Sequence, residues 1–328
     1  MPPPPPFGAV YAAYFADPFV WQSEGRYYAI GTGRDEAVGA ADQRSRAVAS
    51  VFPLLQSTDL RHWQPAGHAL IPPEAIHGQT YWAPEIAFAD GLWYLYYSVG
   101  HGDSRHQLRV AVSERVLGPY RDLAQLTDPD QIAFAIDPHP FRDDDGRWYL
   151  FHARDFLSTE DETGAAVHAG TALVVSELTS MTSLGPLTHT VLRARSDWQL
   201  YAAQRAMYGQ VFDWHTLEGP SVIKEGGRYY CFYSGGCWQN ETYGVDYAVA
   251  EHVMGPYHTL EKASHPRMLR TDPLGEIGPG HCSILTVAES QQRWMIYHAW
   301  DPQMTARRMH VASLAFDGQN PQLERWPG

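Results

Sequence analysis

One pattern of apolar and polar positions recurs five times along the chain. Each copy contains a proline, a short apolar run, a polar turn and then an aromatic-rich run. The copies are FADPFVWQSEGRYYAIGTG at 15–33, YWAPEIAFADGLWYLYYSVG at 81–100, AIDPHPFRDDDGRWYLFHARD at 135–155, LEGPSVIKEGGRYYCFYSGG at 217–236 and, with a longer turn, GPGHCSILTVAESQQRWMIYHAW at 278–300. Aromatic runs favour strands, and four of the turns supply a glycine where a hairpin needs positive φ, so every copy predicts a β-hairpin.

A further apolar segment follows each hairpin and predicts a third strand. These segments are 54–63, 108–120, 171–178, 245–257 and 309–316. The prolines of the five copies, at positions 18, 84, 138, 220 and 279, recur at intervals of 54 to 82 residues. Repeated sheets of three or four strands are typical of a β-propeller, and five copies indicate five blades.

We therefore predict an all-β protein, a single five-bladed β-propeller domain over residues 9–328, with residues 1–8 as a flexible lead-in. An immunoglobulin-like sandwich would also give alternating strands, but it would not explain five copies of one hairpin. Two long connections, 31–50 and 194–216, exceed the blade plan. The second is rich in aromatic residues and runs into Glu218, so we expect it to form a wall of the functional site.

Composition narrows the functional classes. The formal net charge of −13 argues against nucleic-acid binding, and no apolar run approaches the roughly 20 residues that a membrane helix needs. The N-terminal MPPPPPFG lacks the features of a signal peptide, so we expect a cytoplasmic protein, or a secreted one whose export signal is absent from this chain. The three cysteines, Cys231, Cys237 and Cys282, are expected to be free thiols, with a Cys231–Cys237 disulfide as the alternative.

Acidic residues occupy nearly equivalent positions in three of the five copies. The residues directly before the prolines are Asp17, Ala83, Asp137, Gly219 and Gly278, and Glu218 lies one position earlier in the fourth copy. The innermost strands of a propeller surround one channel, so these acids should converge. Any one of them alone would be interpreted as the cap of a strand. Three carboxylates in an aromatic-rich pocket are electrostatically unfavourable, and such sites serve mainly metal binding or acid–base chemistry.

Glycoside hydrolysis suits carboxyl groups in unequal environments. One acid protonates the leaving oxygen, one carboxylate activates water, and a third charge or burial raises the pKa of the acid. The chain has no Gly-x-Ser-x-Gly elbow for a nucleophilic serine and no phosphate-binding glycine loop.

These motifs resemble those of glycoside hydrolase family 43. The residues that carry the resemblance, in chain order, are Asp17-Pro18, Trp82-Ala83-Pro84-Glu85, Ile136-Asp137-Pro138, Glu218-Gly219-Pro220 and Gly278-Pro279-Gly280-His281. The resemblance implies a five-bladed propeller and an inverting mechanism. It implies Asp17 as the general base, Glu218 as the general acid and Asp137 as the group that orients Glu218 and tunes its pKa, with the base and acid carboxyls roughly 6.5–9.5 Å apart.

The resemblance also suggests residues that bind substrate. Trp82 is expected to line the sugar pocket, or alternatively to pack between blades. His281 is expected in the channel, where it contacts substrate and helps to hold a structural calcium or other ion; the alternative is a histidine that only makes hydrogen bonds there. Strand alternation sends one of Arg307 and Arg308 inward, and we prefer Arg307. Phe19 and His139 are further candidates for sugar contact, although core packing is the preferred interpretation for Phe19.

The resemblance leads to a specific hypothesis about activity. We expect an α-L-arabinofuranosidase that acts on plant-derived arabino-oligosaccharides or arabinoxylan fragments, without a cofactor for the chemistry. A β-D-xylosidase or an endo-α-1,5-L-arabinanase of the same family is the alternative. A retaining invertase-type enzyme is disfavoured because its Asn-Asp-Pro and Glu-Cys motifs are absent. A non-catalytic carbohydrate-binding propeller would repeat its sites in every blade, whereas the acids here occur in three.

Overall fold

Strands account for nearly all regular structure in this protein. The computed structural model describes residues 8–34, 51–72, 79–259, 263–272 and 275–325, and within these ranges it contains 20 strands and one single-turn 3-10 helix, Asp197–Gln199. The expected lead-in, apart from residue 8, and positions 35–50 of the first long connection lie outside the described residues. No helix in the described part is long and apolar enough to cross a bilayer.

The strands form five blades in chain order. Blade one contains β1 (Ala16–Ser23), β2 (Arg26–Thr32), β3 (Val51–Ser57) and β4 (Gln64–Ile71). Blade two contains β5 (Thr80–Ala89), β6 (Leu92–His101), β7 (Ser104–Ser113) and β8 (Tyr120–Gln125). Blade three contains β9 (Ala135–Arg142), β10 (Trp148–Phe156), β11 (Gly170–Ser180) and β12 (Ser183–Leu192).

The last two blades follow the same plan with one addition. A hairpin of β13 (Leu200–Met207) and the first half of β14 (Gln210–Glu225) precedes blade four, which contains the second half of β14, β15 (Arg228–Gly235) and β16 (Gly244–Ala250). Blade five contains β17 (Ile277–Thr286), β18 (Arg293–Trp300), β19 (Arg307–Asp317) and β20 (Asn320–Arg325). Each of the five repeated sequences thus forms an antiparallel hairpin at the start of a blade, and each following apolar segment contributes to the third strand, as predicted.

The hydrophobic core is divided among the interfaces between blades. Five clusters of buried apolar side chains lie between blades one and two, two and three, three and four, four and five, and five and one. Strand β6 shows how alternation serves two interfaces, since Leu95 and Tyr97 face blade one whereas Tyr96 faces blade three. Side chains on opposite faces of a strand alternate, so one apolar run can be buried on both sides.

The ring closes between the first and last blades. The backbone N–H of Val10 donates to the carbonyl of Met309 at 2.8 Å, and that of Phe15 donates to Arg307 at 2.9 Å. Phe15 is fully buried in the cluster between blades five and one. The segment before β1 therefore lies against β19 and connects blade one to blade five.

The β13–β14 hairpin is attached to blade three by a close approach of two backbones. Strands β11 and β14 pair in parallel at Gly170–His215 and Thr171–Thr216. A Cβ at Gly170 would lie 1.8 Å from the carbonyl oxygen of His215, so only glycine fits there. The contact fixes Thr171 and Thr216 at the mouth of the channel. All three cysteines are buried free thiols, so the alternative of a Cys231–Cys237 disulfide was wrong.

Candidate active site

A bulge near the start of each innermost strand brings five equivalent positions around the channel. The residues with positive φ at these bulges are Asp17 (49°), Ala83 (48°), Asp137 (59°), Gly219 (56°) and His281 (49°). Non-glycine residues seldom adopt this left-handed conformation, and strained positions of this kind cluster at functional sites. Four of them at one structural position in the described chain therefore mark the channel mouth as the candidate site.

In the fifth blade, the residue equivalent to Asp17 differs from the one predicted from the sequence. The expected equivalent was Gly278, which precedes Pro279, but the corresponding bulge of β17 lies between Gly280 and Ser283. His281 is therefore the counterpart of Asp17, and no proline follows it. Glu218 pairs with Ser234 just before its bulge, as Trp82 pairs with Ser98. The one-residue offset of Glu218 is thus a real structural difference from Asp17 and Asp137.

At four of the five bulges, the backbone N–H group donates a hydrogen bond to a side chain of the preceding blade. Asp17 N–H donates to His298 Nδ1 at 3.1 Å, and Gly219 N–H donates to Asp137 Oδ2 at 2.9 Å. His281 N–H donates to Ser234 Oγ at 2.7 Å. These contacts link neighbouring blades at the level of the acids, so the carboxyl positions are held by the ring as a whole.

Asp17 lies beside one arginine and two histidine rings. Its Oδ1 atom is 3.4 Å from Arg307 Nη1, 3.4 Å from His281 Nδ1 and 3.3 Å from His298 Nδ1. Burial alone would raise the pKa of Asp17, but the electrostatic attraction of His281 and Arg307 outweighs it, so the pKa is held well below its usual range. Asp17 is therefore ionised over the whole physiological range.

His298 supports Asp17 as a neutral ring. Because Nδ1 accepts the N–H of Asp17, the ring proton belongs on Nε2. Burial lowers the pKa of His298 to about 4, which agrees with a neutral imidazole. Its Nε2 is buried and has no hydrogen-bond partner among the described residues.

Glu218 has the opposite electrostatic character. Its Oε1 atom accepts a 2.6 Å hydrogen bond from the hydroxyl of Tyr243, a residue that is 1% exposed. Burial raises the pKa of Glu218 to about 7; the Tyr243 hydrogen bond opposes this shift, and the charge of Asp17 adds to it. A large fraction of Glu218 thus carries a proton near neutral pH, as a general acid requires.

Asp137 interacts electrostatically with both of the other acids. It is buried, and its Oδ2 accepts the N–H of Gly219, the residue next to Glu218. Burial, followed by the charges of Glu218 and Asp17, raises the pKa of Asp137 well above its ordinary value. Two carboxyls that repel each other in this way titrate as a pair, and the pair holds its last proton to a higher pH than one acid alone would.

Arg307 is the arginine that reaches the acids. Besides Asp17, its guanidinium contacts the hydroxyl of Tyr14 at 2.7 Å through Nη2 and lies 4.4 Å from the ring centre of Trp238. The neighbouring Arg308 pairs with Asp301 at 3.1 Å and is partly exposed. The preference for Arg307 as the inward residue agrees with this geometry.

Glu218 lines a small cleft that is open to solvent. Aromatic and apolar residues line much of it, namely Trp82, Phe134, Ile136, Tyr201, Met207, Trp214 and Trp238. The polar residues that line it are Asp103, Asp155, Thr171, Arg205, Thr216 and Glu218. Trp82 stacks on the ring of His106 with 3.9 Å between ring centres. The second long connection, with its β13–β14 hairpin, forms one wall, as expected from the sequence.

Two of the expected sugar contacts are made with the protein itself. His139 Nδ1 lies 2.7 Å from Glu85 Oε2, and its Nε2 accepts the N–H of Val222 at 3.0 Å. Both ring nitrogens are therefore used inside the protein, and contact of His139 with sugar stays a prediction. Phe19 packs against the cluster between blades one and two and stacks on Trp21, so core packing, the preferred interpretation, is the observed role.

The expected calcium site would lie in the channel beside His281. No group of three or more His, Cys, Asp or Glu side chains suited to a metal ion occurs in the described part of the chain. His281 Nδ1 instead faces Asp17 Oδ1. The side chains do not form a coordination shell for calcium, which prefers six to eight oxygen ligands. Calcium therefore stays a prediction of the resemblance.

Several residues of the site were not visible in the sequence. Tyr243 lies 25 residues from Glu218, and His298 lies 281 residues from Asp17. Tyr14 contacts Arg307, 293 residues away. No motif marks these three residues. Asp155 and Arg205 of the cleft were also missed. Asp155 does stand at the end of the third repeat, in the sequence FHARD, where an acid ends an apolar strand. That break in the pattern was the one usable signal.

Comparisons with known proteins agree with the fold. The family profile described as "Glycosyl hydrolases family 43" matches residues 9–318. A Streptomyces avermitilis protein named extracellular exo-alpha-(1->5)-L-arabinofuranosidase is 24% identical over 234 residues, which are 68% of this chain and 43% of that protein. An Aspergillus niger protein named beta-D-galactofuranosidase xynD is 28% identical over 249 residues, covering 71% of this chain and 60% of the relative. This chain thus spans less than two thirds of either relative.

A solved structure is similar over the whole propeller. The crystal structure of a thermostable family-43 glycoside hydrolase has a TM-score of 0.76 and 26% identity, and the match covers 97% of this chain and 96% of that one.

Proposed function

The chain belongs to glycosyl hydrolase family 43, and from this we propose that it is an inverting α-L-arabinofuranosidase acting on arabino-oligosaccharides or arabinoxylan fragments. The observation that supports this proposal most strongly is the difference in protonation between two carboxyl groups at the channel mouth. Asp17 is held ionised by Arg307, whereas burial raises the pKa of Glu218 to about 7. In this proposal Asp17 activates water, Glu218 protonates the leaving oxygen, and Asp137 orients Glu218 and tunes its pKa.

Substrate contacts in this proposal come from the cleft wall and the arginine beside the base. Trp82 offers an aromatic face to the sugar ring. Arg307 and His281 lie next to Asp17, where they can contact sugar hydroxyls on the water side. Sugar rings suit such a combination of an aromatic face with fixed polar groups. The relative from Streptomyces avermitilis, named an exo-arabinofuranosidase, supports the choice of substrate.

An exo-acting pocket is supported by an ion pair at the rim. Arg205 of β13 lies 3.1 Å from Asp103, which belongs to the turn between β6 and β7. The pair connects the hairpin wall to blade two, and both residues line the cleft. A connected rim favours a pocket for a chain end over an open groove.

The proposed substrate preference can be tested by comparing the hydrolysis of two aryl glycosides. We expect hydrolysis of nitrophenyl α-L-arabinofuranoside to exceed that of nitrophenyl β-D-xyloside, and NMR should detect the inverted anomer first. Activity on the xyloside alone would contradict the arabinofuranosidase proposal and favour the xylosidase. Release of internal fragments from linear arabinan would favour the endo-arabinanase.

The roles of the two acids are separated by the leaving group. Asp17→Asn should lower kcat roughly 10²–10⁴-fold on every substrate, because water activation is lost. Glu218→Gln should lower it by a similar factor on a disaccharide but much less on a nitrophenyl glycoside, whose leaving group needs little protonation. Unchanged rates in both variants, with the fold intact by circular dichroism, would reject the catalytic assignment and favour a non-catalytic carbohydrate-binding propeller.

We also propose that the protein is secreted. The relative from Streptomyces avermitilis is named extracellular, which supports secretion over the cytoplasmic alternative. Detection of the protein in the culture medium of its source organism, alongside a cytoplasmic marker that stays in the cells, would test this.

A further inference from the structure

The part of the cleft beside the β13–β14 hairpin contains a fourth carboxyl group, Asp155 at the end of β10. Thr171 Oγ1 donates to its Oδ1 at 2.9 Å, and the hydroxyl of Tyr208 donates to its Oδ2 at 2.6 Å. Asp155 contacts none of the three acids of the channel mouth through a hydrogen bond in the described structure. It has no part in the chemistry proposed above, and another role has to explain its position in the cleft.

Asp155 keeps hydrogen-bonding capacity for a ligand. Burial raises the pKa of Asp155 to about 6, with the hydroxyls of Tyr208 and Thr171 opposing the shift, so the carboxyl is mostly ionised at neutral pH. An ionised carboxylate has about four acceptor positions, and each oxygen here uses one of its two. The side chain is partly open to the cleft. Two adjacent acceptors on a fixed carboxylate match two neighbouring hydroxyls of a sugar.

The surrounding wall provides the other features of a sugar site. The guanidinium of Arg205 lies 4.7 Å from the ring centre of Tyr201 and pairs with Asp103 at 3.1 Å. Arg205 is thereby fixed in place while several of its N–H donors stay available. Tyr201 and Trp82 add aromatic surface to the same cleft.

The position of this wall relative to Glu218 identifies the part of the substrate that it faces. Glu218 lines the cleft together with Asp155 and Arg205, whereas Asp17 lies deeper, at the channel. A general acid stands next to the leaving oxygen, and the activated water approaches from the opposite face. The hairpin wall is therefore on the leaving-group side of the scissile bond.

We propose that the hairpin wall is a binding site for the leaving-group sugar, a pentose unit of an oligosaccharide, in which Asp155 accepts hydrogen bonds from two hydroxyls. Arg205 donates to the same unit and Tyr201 packs against its ring. The assignment rests on the proposed glycosidase function, and it adds the recognition of a second sugar to it.

The first experiment compares two substrates that differ in their leaving group. In Asp155→Asn, the loss of kcat/KM on α-1,5-linked arabinobiose should exceed the loss on nitrophenyl α-L-arabinofuranoside by about tenfold or more, because a charged hydrogen-bond acceptor is removed only from the sugar. Tyr208→Phe, which frees one carboxylate oxygen, should shift the same ratio by a smaller factor. The control is Asp145→Asn, an exposed carboxyl in the turn between β9 and β10 that pairs with Arg147, and both substrates should be unaffected. Equal losses on both substrates, or none, would overturn the proposal.

The second experiment does not depend on turnover. Calorimetry should show that Glu218→Gln binds arabinobiose more tightly than arabinose, and that adding Asp155→Asn weakens disaccharide binding about tenfold while changing monosaccharide binding much less. If the wild type cleaves xylosides instead, xylobiose and xylose replace the arabinose pair. Failure to cleave any aryl glycoside would therefore reject the proposed function alone, whereas identical disaccharide binding with and without Asp155 would reject the sugar site.

Discussion

The hydroxyl of Tyr243 donates a 2.6 Å hydrogen bond to Oε1 of Glu218, inside a site where burial has already raised the pKa of that acid to about 7. The bond stabilises the ionised carboxylate and therefore opposes the shift that a general acid needs. The pKa of Glu218 is the balance of these two effects. Substitutions around Glu218 should consequently move the alkaline limb of the pH–rate profile in opposite directions.

Removing the tyrosine hydroxyl should raise the pKa of Glu218. In Tyr243→Phe the ionised acid loses its donor, so the alkaline limb of kcat/KM should move up by roughly one pH unit, consistent with a hydrogen bond to a charged group. Tyr247→Phe removes a hydroxyl from β16 outside the cleft and serves as the control. A downward movement of the limb in Tyr243→Phe would contradict the assignment of Glu218 as the titrating acid.

Removing the third carboxyl should have the opposite effect. In Asp137→Asn, Glu218 no longer shares a site with a second negative charge, and its proton is lost at lower pH. The alkaline limb should therefore move down, together with a loss of kcat from the missing orientation of Gly219 and Glu218. A pH–rate series on the nitrophenyl substrate measures the limb, and a limb that stays in place would reject the tuning role of Asp137.

The two adjacent arginines give a matched pair of variants. Arg307→Met removes a cation 3.4 Å from Asp17, so the pKa of Asp17 should rise toward its ordinary value and kcat/KM at acidic pH should fall relative to its value at neutral pH. Arg308→Met removes only the pair with Asp301. Rate profiles from acid to neutral pH, restricted to the range where circular dichroism shows a folded protein, should separate them; the same profile in both variants would exclude a special role for Arg307.

Gly280 should prove essential for the position of Tyr243. A Cβ at this site would lie 1.9 Å from Cε1 of Tyr243, so Gly280→Ala must displace the ring that reaches Glu218. We expect a loss of about 1–3 kcal/mol in the free energy of unfolding, as for an overpacked core, and an upward shift of the alkaline limb like that of Tyr243→Phe. Gly275→Ala, with no atom within 4 Å of its Cβ, is the control for denaturant unfolding and for activity. A normal alkaline limb in Gly280→Ala would show that the ring position is adjusted elsewhere.

The repeated hairpins were predictable because they depend on local order. Apolar alternation, aromatic runs and turn glycines act over a few residues, so blade strands could be identified without tertiary information. The convergence of Asp17, Asp137 and Glu218 followed from the repetition. The position in the fifth blade was predicted wrongly for the same reason, because Pro279 was taken as the marker while the bulge occurs two residues later, at His281.

His139 shows where local pattern is insufficient. Its place two residues after Asp137 suggested a residue of the site, but its side chain lies between Glu85 of blade two and Val222 of blade four. Which side chains meet across blades depends on how three separate sheets are packed. Asp155 is the converse case, since its role became apparent only when the β13–β14 hairpin placed Tyr208 and Arg205 beside it.

By itself, the sequence determined the number of blades, their hairpins and the three acids at the channel, because each of these is written in short, repeated segments. Only the tertiary structure decided the ionisation of those acids. Asp17 is separated by 290 residues from Arg307 and by 281 from His298, and Glu218 by 25 from Tyr243. The pKa of a carboxyl depends on its burial and on the distance to nearby charges and donors, and these quantities exist only once the ring of blades has closed.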